Sequence, residues 1–442
     1  MKRKTRVIEV VKTVLIVLLF ISAFFLSVEA LLVPQQSIEN TIKHWTNVLL
    51  GNEDRGGTDT TSQLLAASLP SRIAIVNGSG RRGVQYDATA VSETYAQVGG
   101  LLAEALDTAG TPAPMEEELW REALQRPGCY FEFWDSVPLD ALGAWMNSGK
   151  VNETLTASAR RLLLWEGETG ETVLSYINAE DGLYYTCRTG EILQDRLSDA
   201  LASFLPNGAT FAFEQGEAYD AIDPYTMVLT TLPSLPLVNA TAVIQEEAEI
   251  LSFLKTMGFN AHSMAHYTVE NETVYKQGSD TIRIENNGTV QYTSTTESKD
   301  WATFPVEHGD SILTRIEAIE AARSLAAKAF ESYLGEGAAL YLSCVEQMED
   351  GAYRICFGCS VGGVPVLLSG GEYTAEFEIA NDYVKSFSLK LRNYSSTGTY
   401  GALLPEKQAI AALEAMEQEG GELMACYIDS GQNLLQASWV TR

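Results

Sequence analysis

Histidine and cysteine are scarce in this chain, at 4 and 6 of 442 residues. The four histidines, His44, His262, His266 and His308, leave few candidates for a general base near neutral pH. The six cysteines, Cys129, Cys187, Cys344, Cys356, Cys359 and Cys426, are too dispersed for a disulfide-stapled scaffold, so apolar cores must carry stability. Basic residues are also few: 30 Lys plus Arg against 58 Asp plus Glu, a formal charge of −28. That excess repels phosphate backbones and anionic lipid, which disfavours a broad role on nucleic acid or on a membrane surface. The many carboxylates give no reason to choose two as an acid and base pair. What remains is a globular composition, 46% apolar and 20% charged. At about 100 to 200 residues per domain the length predicts several domains.

One long apolar run stands at the N-terminus. Lys2, Arg3, Lys4, Arg6 and Lys12 precede Thr13 to Val28, which holds no charge, and after Glu29 the run resumes to Val33 and stops at Pro34. Residues 10–33 are long enough to span a hydrocarbon core, which needs about 20 apolar residues. The basic tail, residues 1–9, then stays in the cytoplasm and the rest faces outward. Val28 and Ala30 also fit a signal-peptide cleavage site, but the apolar run continues past it, so an uncleaved anchor in the cell membrane is the preferred reading. Within the span, Ala23 and Ser27 lie four residues apart with Ser22 beside them, a small-residue stripe that lets another helix approach closely. These three are the candidate partner-contact residues.

Beyond a Gly, Thr and Ser-rich linker from Asn52 to Ser68, period-2 and period-3.6 patterns alternate. The fold class they predict is α+β: a multi-domain ectodomain of antiparallel sheets covered by helices. Three units are expected, at 34–150, 151–304 and 305–442. The first holds a strand Arg72 to Val76, a helix Val91 to Asp107 and a strand Cys129 to Trp134. The second holds strands Arg161 to Trp165, Thr172 to Ile177 and Leu183 to Arg188, helices Glu191 to Phe204 and Ala242 to Met257, and a hairpin Thr281 to Thr293. The third opens with a helix Asp310 to Leu334, where Ile312, Ile316, Ile319, Ala326 and Phe330 share a face. It continues with strands in which Phe377 and Ile379 alternate with Glu376 and Glu378, a sheet with one wet face. A helix from Pro405 uses Ala409, Ile410, Leu413 and Met416, and strands Leu423 to Ile428 and Leu435 to Val440 follow.

Several chemistry-bearing patterns read more simply as structure. Gly78-Ser79-Gly80-Arg81-Arg82-Gly83 matches GxGxxG after a strand, but Val84 to Asp87 reads as extended chain where a dinucleotide fold needs a helix, so the motif reads as a turn. Cys356-Phe357-Gly358-Cys359 has redox or zinc spacing without a second CxxC, a nearby His or a helix to open. His262 and His266 have helical ligand spacing but lie beyond the Gly258 stop and lack a third ligand. No catalytic, cofactor-binding or metal-binding residue is assigned, and no cofactor is expected.

The order of these parts resembles the YycH and YycI family, membrane-anchored regulators of the WalK (YycG) sensor histidine kinase in Gram-positive bacteria. The resemblance rests on the span Val10 to Val33, the hairpin TIRIENNGTVQY (Thr281 to Tyr292), GGVPV (Gly362 to Val366), LLPEKQAIAAL (Leu403 to Leu413) and ASWV (Ala437 to Val440). It implies no enzyme activity. It implies a span packed beside the kinase's membrane helices, a WalK-like partner kinase and a sister YycH or YycI-type protein as a further partner. The alternatives on residues alone are a wall-binding or folding-accessory ectodomain and an exported hydrolase with a carboxylate site.

Overall fold

The computed structural model describes residues 69–147, 150–190, 193–296, 298–308, 312–380, 382–416 and 420–442. The expected span at 10–33, with Ser22, Ala23 and Ser27, and the linker at 52–68 lie outside the described residues. Among the described residues no helix is long and apolar enough to cross a membrane.

The chain begins with a hairpin, β1 (Arg72–Asn77) and β2 (Gly80–Gln85), then α1 (Ala88–Thr108), β3 (Ala113–Met115), α2 (Glu117–Ala123), β4 (Gly128–Pro138) and α3 (Leu139–Met146). β5 (Ser158–Glu166), β6 (Thr172–Asn178) and β7 (Tyr184–Arg188) complete a seven-stranded sheet in the order β2-β1-β4-β5-β6-β7-β3, followed by α4 (Leu193–Ala202). GSGRRG is the turn and second strand of the β1–β2 hairpin, with Asn77 opposite Gly80. Alternation sends Ile73, Phe131, Leu162 and Leu174 to one face, under α1, α3 and α4, and Ala74, Tyr130, Leu163 and Trp165 to the other, under Trp120, Phe211 and Tyr225.

β4 pairs with β5 in this sheet, Phe131 opposite Leu162, so strands on both sides of the boundary expected at 150/151 belong to one layer. The change to a hairpin pattern at Val151 marks a change in connection, not a new core. β8 (Thr210–Phe211) and β9 (Met227–Val228) form a short ribbon beneath the second face.

β10 (Pro236–Ala242) precedes α5 (Glu247–Met257), so the expected helix start at Ala242 is a strand end, and the helix begins after a reciprocal cap by Glu246 and Glu249. A meander follows: β11 (Ala265–Val269), β12 (Glu272–Gln277), β13 (Asp280–Glu285) and β14 (Thr289–Ser294). Ile282 faces Tyr292 and Ile284 faces Val290, the expected pairing. The described helix α6 runs Arg315–Phe330; Thr314 and Glu317 form a capping box there, and Ile312, expected on its buried face, is 74% exposed before the helix begins.

The remaining strands are β15 (Ala338–Gln347), β16 (Tyr353–Val361), β17 (Val364–Leu368), β18 (Ala375–Ala380), β19 (Tyr383–Lys390) and β20 (Arg392–Tyr400), then α7 (Glu406–Ala415), β21 (Leu423–Asp429), β22 (Leu434–Leu435) and β23 (Ala437–Thr441). Met416, expected on the buried face of α7, is exposed just past its end. β14 pairs with β19, and β11 to β19, β21 and β23 form one eleven-stranded sheet, so the boundary expected at 304/305 also runs through a sheet. The sheet is mixed, because β17 and β21 pair in parallel. α5 and α6 cover its apolar face, where Phe253, Ala322 and Phe330 meet Tyr292, Phe377 and Phe387. β10, β20 and β22 form a separate three-stranded sheet.

Gly258 and Gly335 both follow helices with positive φ, at 98° and 96°. A Cβ on Gly258 would meet nothing within 4 Å, whereas one on Gly335 would lie 2.0 Å from the Tyr394 carbonyl oxygen. Gly258→Ala is expected to cost about 1 kcal/mol, the left-handed penalty alone. Gly335→Ala should cost more than about 3 kcal/mol, because backbone must move as well. Paired denaturant titrations check the ranking, and equal losses would refute it.

Candidate functional site: a buried charge network and an open sheet groove

Arg72 on β1, Glu132 on β4 and Arg161 on β5 stand in one cross-strand row on the sheet's second face. Arg160 is the next residue, and in a regular strand it would point the other way. Register shifts beside Glu132 and between Ala159 and Leu162 re-aim this stretch, and both guanidinium groups reach Glu132: Arg160 at 2.9 Å and Arg161 at 3.2 Å. Glu132 is fully buried and also accepts from the Tyr130 hydroxyl at 2.7 Å.

The second carboxylate comes from nearly three hundred residues downstream. Glu422, just ahead of β21, pairs with Arg72 at 2.6 Å, with Arg160, and with Arg161 at 3.7 Å. Asp223 takes the outer side of Arg161 at 3.0 Å. Three guanidinium groups thus face three carboxylates, and the buried cluster is neutral. Burial works to raise the Glu422 carboxyl, but Arg72, Arg160 and Arg161 together outweigh it and hold the group below its ordinary range. Burial likewise opposes the Arg72 charge, and Glu132 and Glu422 raise it.

At the solvent end of the network lies a basin of about 180 Å³ lined by Ser136, Arg160, Arg161, Asp223, Glu422 and Arg442. Its arginines are engaged, Arg442 by Asp135 and the others by the network, so its chemistry is that of a clamp between the first sheet and the entry to β21.

A larger open groove, about 440 Å³, lies on the wet face of the eleven-stranded sheet. Its floor is made of short polar side chains in cross-strand rows: Thr293, Ser386 and Glu378 in one, Gln291, Ser388 and Glu376 in the next. This is the alternation expected of Glu376 and Glu378. Arg354 bonds Glu376 at 2.7 Å and Glu346 at 3.0 Å, and Ser386 donates to Glu378 at 3.0 Å. Met348 supplies an apolar wall. The groove has the makings of a polar contact surface, and its charged groups are paired along the sheet.

The residues weighed for metal or redox chemistry are dispersed. His262 sits in a short helical turn and His266 on β11, where its ring stacks on Tyr275; they share no helix. His308 bonds Asp382 at 2.7 Å. Cys356 and Cys359 lie on β16, whose alternation sends them to opposite faces; Cys356 is bridged to Cys344 on β15, and Cys359 is buried with its thiol pushed up to about 12 by desolvation. Among the described residues no group of three or more His, Cys, Asp and Glu could hold a metal ion. The charge network escaped sequence reading, since its members span Arg72 to Glu422; the sole local signal is Arg160-Arg161 abutting the apolar run Leu162 to Trp165.

Among the described residues, burial brings one carboxyl toward the physiological range. Glu406, at the start of α7, is pushed up to about 7 by burial, while the Tyr219 hydroxyl bond pulls it down. From 4.5, its ordinary value, to about 7 the unfolded chain releases this proton and the folded chain keeps it, so this group's contribution to stability falls as pH rises through that window. Glu406→Gln should therefore gain stability over the parent between pH 5 and pH 8, by on the order of 2 kcal/mol. Thermal unfolding of both proteins across that range is the measurement, and a constant difference would dispose of the assignment. Glu422→Gln should cost about 3–5 kcal/mol, because it strands buried guanidinium groups, whereas Glu376→Gln in the open groove should cost under about 1 kcal/mol. Urea titrations of the pair decide it; similar losses would mean the network carries no special weight.

No family model matches this chain, and no curated protein matches it. Among solved structures, YycH from Bacillus subtilis superposes with a TM-score of 0.54 at 12% identity, covering 88% of this chain and 96% of that one. An uncharacterized protein from Eubacterium rectale, also 12% identical, covers 47% of this chain and 75% of its own with a TM-score of 0.32, too low to carry an argument. The chain has a YycH-like fold.

Proposed function

We propose that this protein is a non-catalytic, membrane-anchored regulator of a cell-envelope sensor histidine kinase of the WalK (YycG) kind. The observation that carries the reading is the YycH-like architecture over 88% of the chain, joined to an apolar stretch at 10–33 with a basic flank. Two further features support it. The Cys344–Cys356 disulfide suits an oxidising compartment outside the cytosol, and the described clefts are lined by paired charges instead of an aimed acid and base.

In this reading residues 10–33 span the membrane once and Ser22, Ala23 and Ser27 form the face that meets a kinase helix. A helix that packs better against one of two kinase arrangements shifts their populations by that difference in affinity, with no chemistry needed. The ectodomain, with a sister protein where one is present, sets how the helix is held.

The test is co-purification from membranes with a tagged kinase, together with kinase autophosphorylation in the same membranes. Ala23→Leu with Ser27→Leu should cut association several-fold and move autophosphorylation toward the level without this protein. Unchanged association and signalling in the double variant would remove the helix contact, and failure of the parent chain to retain any kinase would remove the regulator reading.

A further inference from the structure

The edges of a β-sheet offer unpaired N–H and C=O groups, and chains normally guard them with charge, proline or cover. The first sheet does so: β2 at one end carries Arg81 and Arg82, and β3 at the other carries Pro114. The eleven-stranded sheet does not do so at β11. This end strand, Ala265-His266-Tyr267-Thr268-Val269, is exposed along its whole length and has no acidic or permanently basic residue, no proline and no bulge. Tyr267 and Val269 are 46% and 47% exposed. Among the described residues its backbone has no partner other than β12.

The hairpin fixes which groups are free. Val269 faces Glu272 across a two-residue turn in which Glu270 has φ 50°. A closing pair of this kind exchanges backbone hydrogen bonds, as then do the pairs two and four residues further along, at Tyr267 and Ala265. The amides and carbonyls of His266 and Thr268 therefore point away from β12.

We propose that β11 is the contact edge for a second copy of this chain, the two strands pairing antiparallel about a two-fold axis at Tyr267. In that register His266 faces Thr268 of the other copy twice, which uses the four outward N–H and C=O groups of each strand. Tyr267 faces Tyr267 on the wet side of the sheet, and Ala265 faces Val269. The strand is its own complement: small, polar, aromatic, polar, small. Charge selects the same occupant. Two chains of net charge −28 repel over most of their surfaces, and β11 is a stretch where they can meet with no acid opposite an acid. The next position, Glu270, comes opposite Met264. Five residues a side make a small contact, so the pairing belongs to the weak class and is favoured where anchoring concentrates the chain.

Site-directed cross-linking of the full chain in membranes tests this without requiring the kinase. With Tyr267→Cys the two thiols lie directly opposite, within disulfide reach, and copper phenanthroline should convert most of the protein to a reducible dimer. With Val269→Cys, equally exposed on the same face, the two thiols would be roughly 13 Å apart, four strand residues, and little dimer should form. Adding His266→Asp and Thr268→Asp to the Tyr267→Cys chain sets like charges opposite in both symmetric pairs and should reduce the dimer at least fivefold, with circular dichroism unchanged. No dimer from Tyr267→Cys, equal dimer from Val269→Cys, or a yield unmoved by the acidic pair would each overturn the proposal. None of these outcomes bears on whether a kinase is retained.

Discussion

The structure depends on one compensation: two deeply buried carboxylates, Glu132 and Glu422, held among Arg72, Arg160 and Arg161. Each ion alone would cost several kcal/mol to remove from water, and only the full set makes the cost tolerable. Such a cluster adds little stability over an apolar plug of the same size. What it adds is specificity, because any arrangement that brings Arg72 and Arg161 together without Glu422 leaves buried charge unmatched. The segment ahead of β21 is thereby fixed against the first sheet, and Ala425 reinforces the junction by donating its N–H to the Tyr86 hydroxyl at 3.0 Å.

That junction changes how the molecule divides. Read along the chain, patterns shift near residues 150 and 304 and suggest separate units. In space, β4 and β5 share one sheet, β14 and β19 share another, and the two sheets touch where Trp134 stacks on Tyr341 and Ser343 donates to Asp135. Pattern changes report how consecutive elements connect. Pairing between distant strands leaves no local trace.

The same distinction explains what was legible. Helix faces and strand alternation are local, so Val91 to Leu106, the Ile282–Tyr292 hairpin and the wet face at Glu376 and Glu378 could be read directly. Helix starts were legible only where caps are recognised: Thr314 with Glu317 moves the start of α6 past Ile312, and Glu246 with Glu249 moves that of α5 past Ala242. The groove's acidic floor could be anticipated from alternation. The charge network could not, because its three arginines and three acids acquire meaning only once three strands, a loop and a late segment converge. The bulge that turns Arg160 inward has no sequence signature of its own.

The distance between Glu132 and Glu422 also bears on biogenesis. As the polypeptide emerges N-terminus first, the first sheet can assemble its strands but holds three guanidinium groups against Glu132 and Asp223, with one negative charge still to come. Its second face stays incompletely closed until almost the whole polypeptide has been delivered. For that interval the early strands are exposed to mispairing and to proteases, which makes the nascent chain a natural client for holding chaperones and makes truncation near its end more damaging than the few residues removed would suggest.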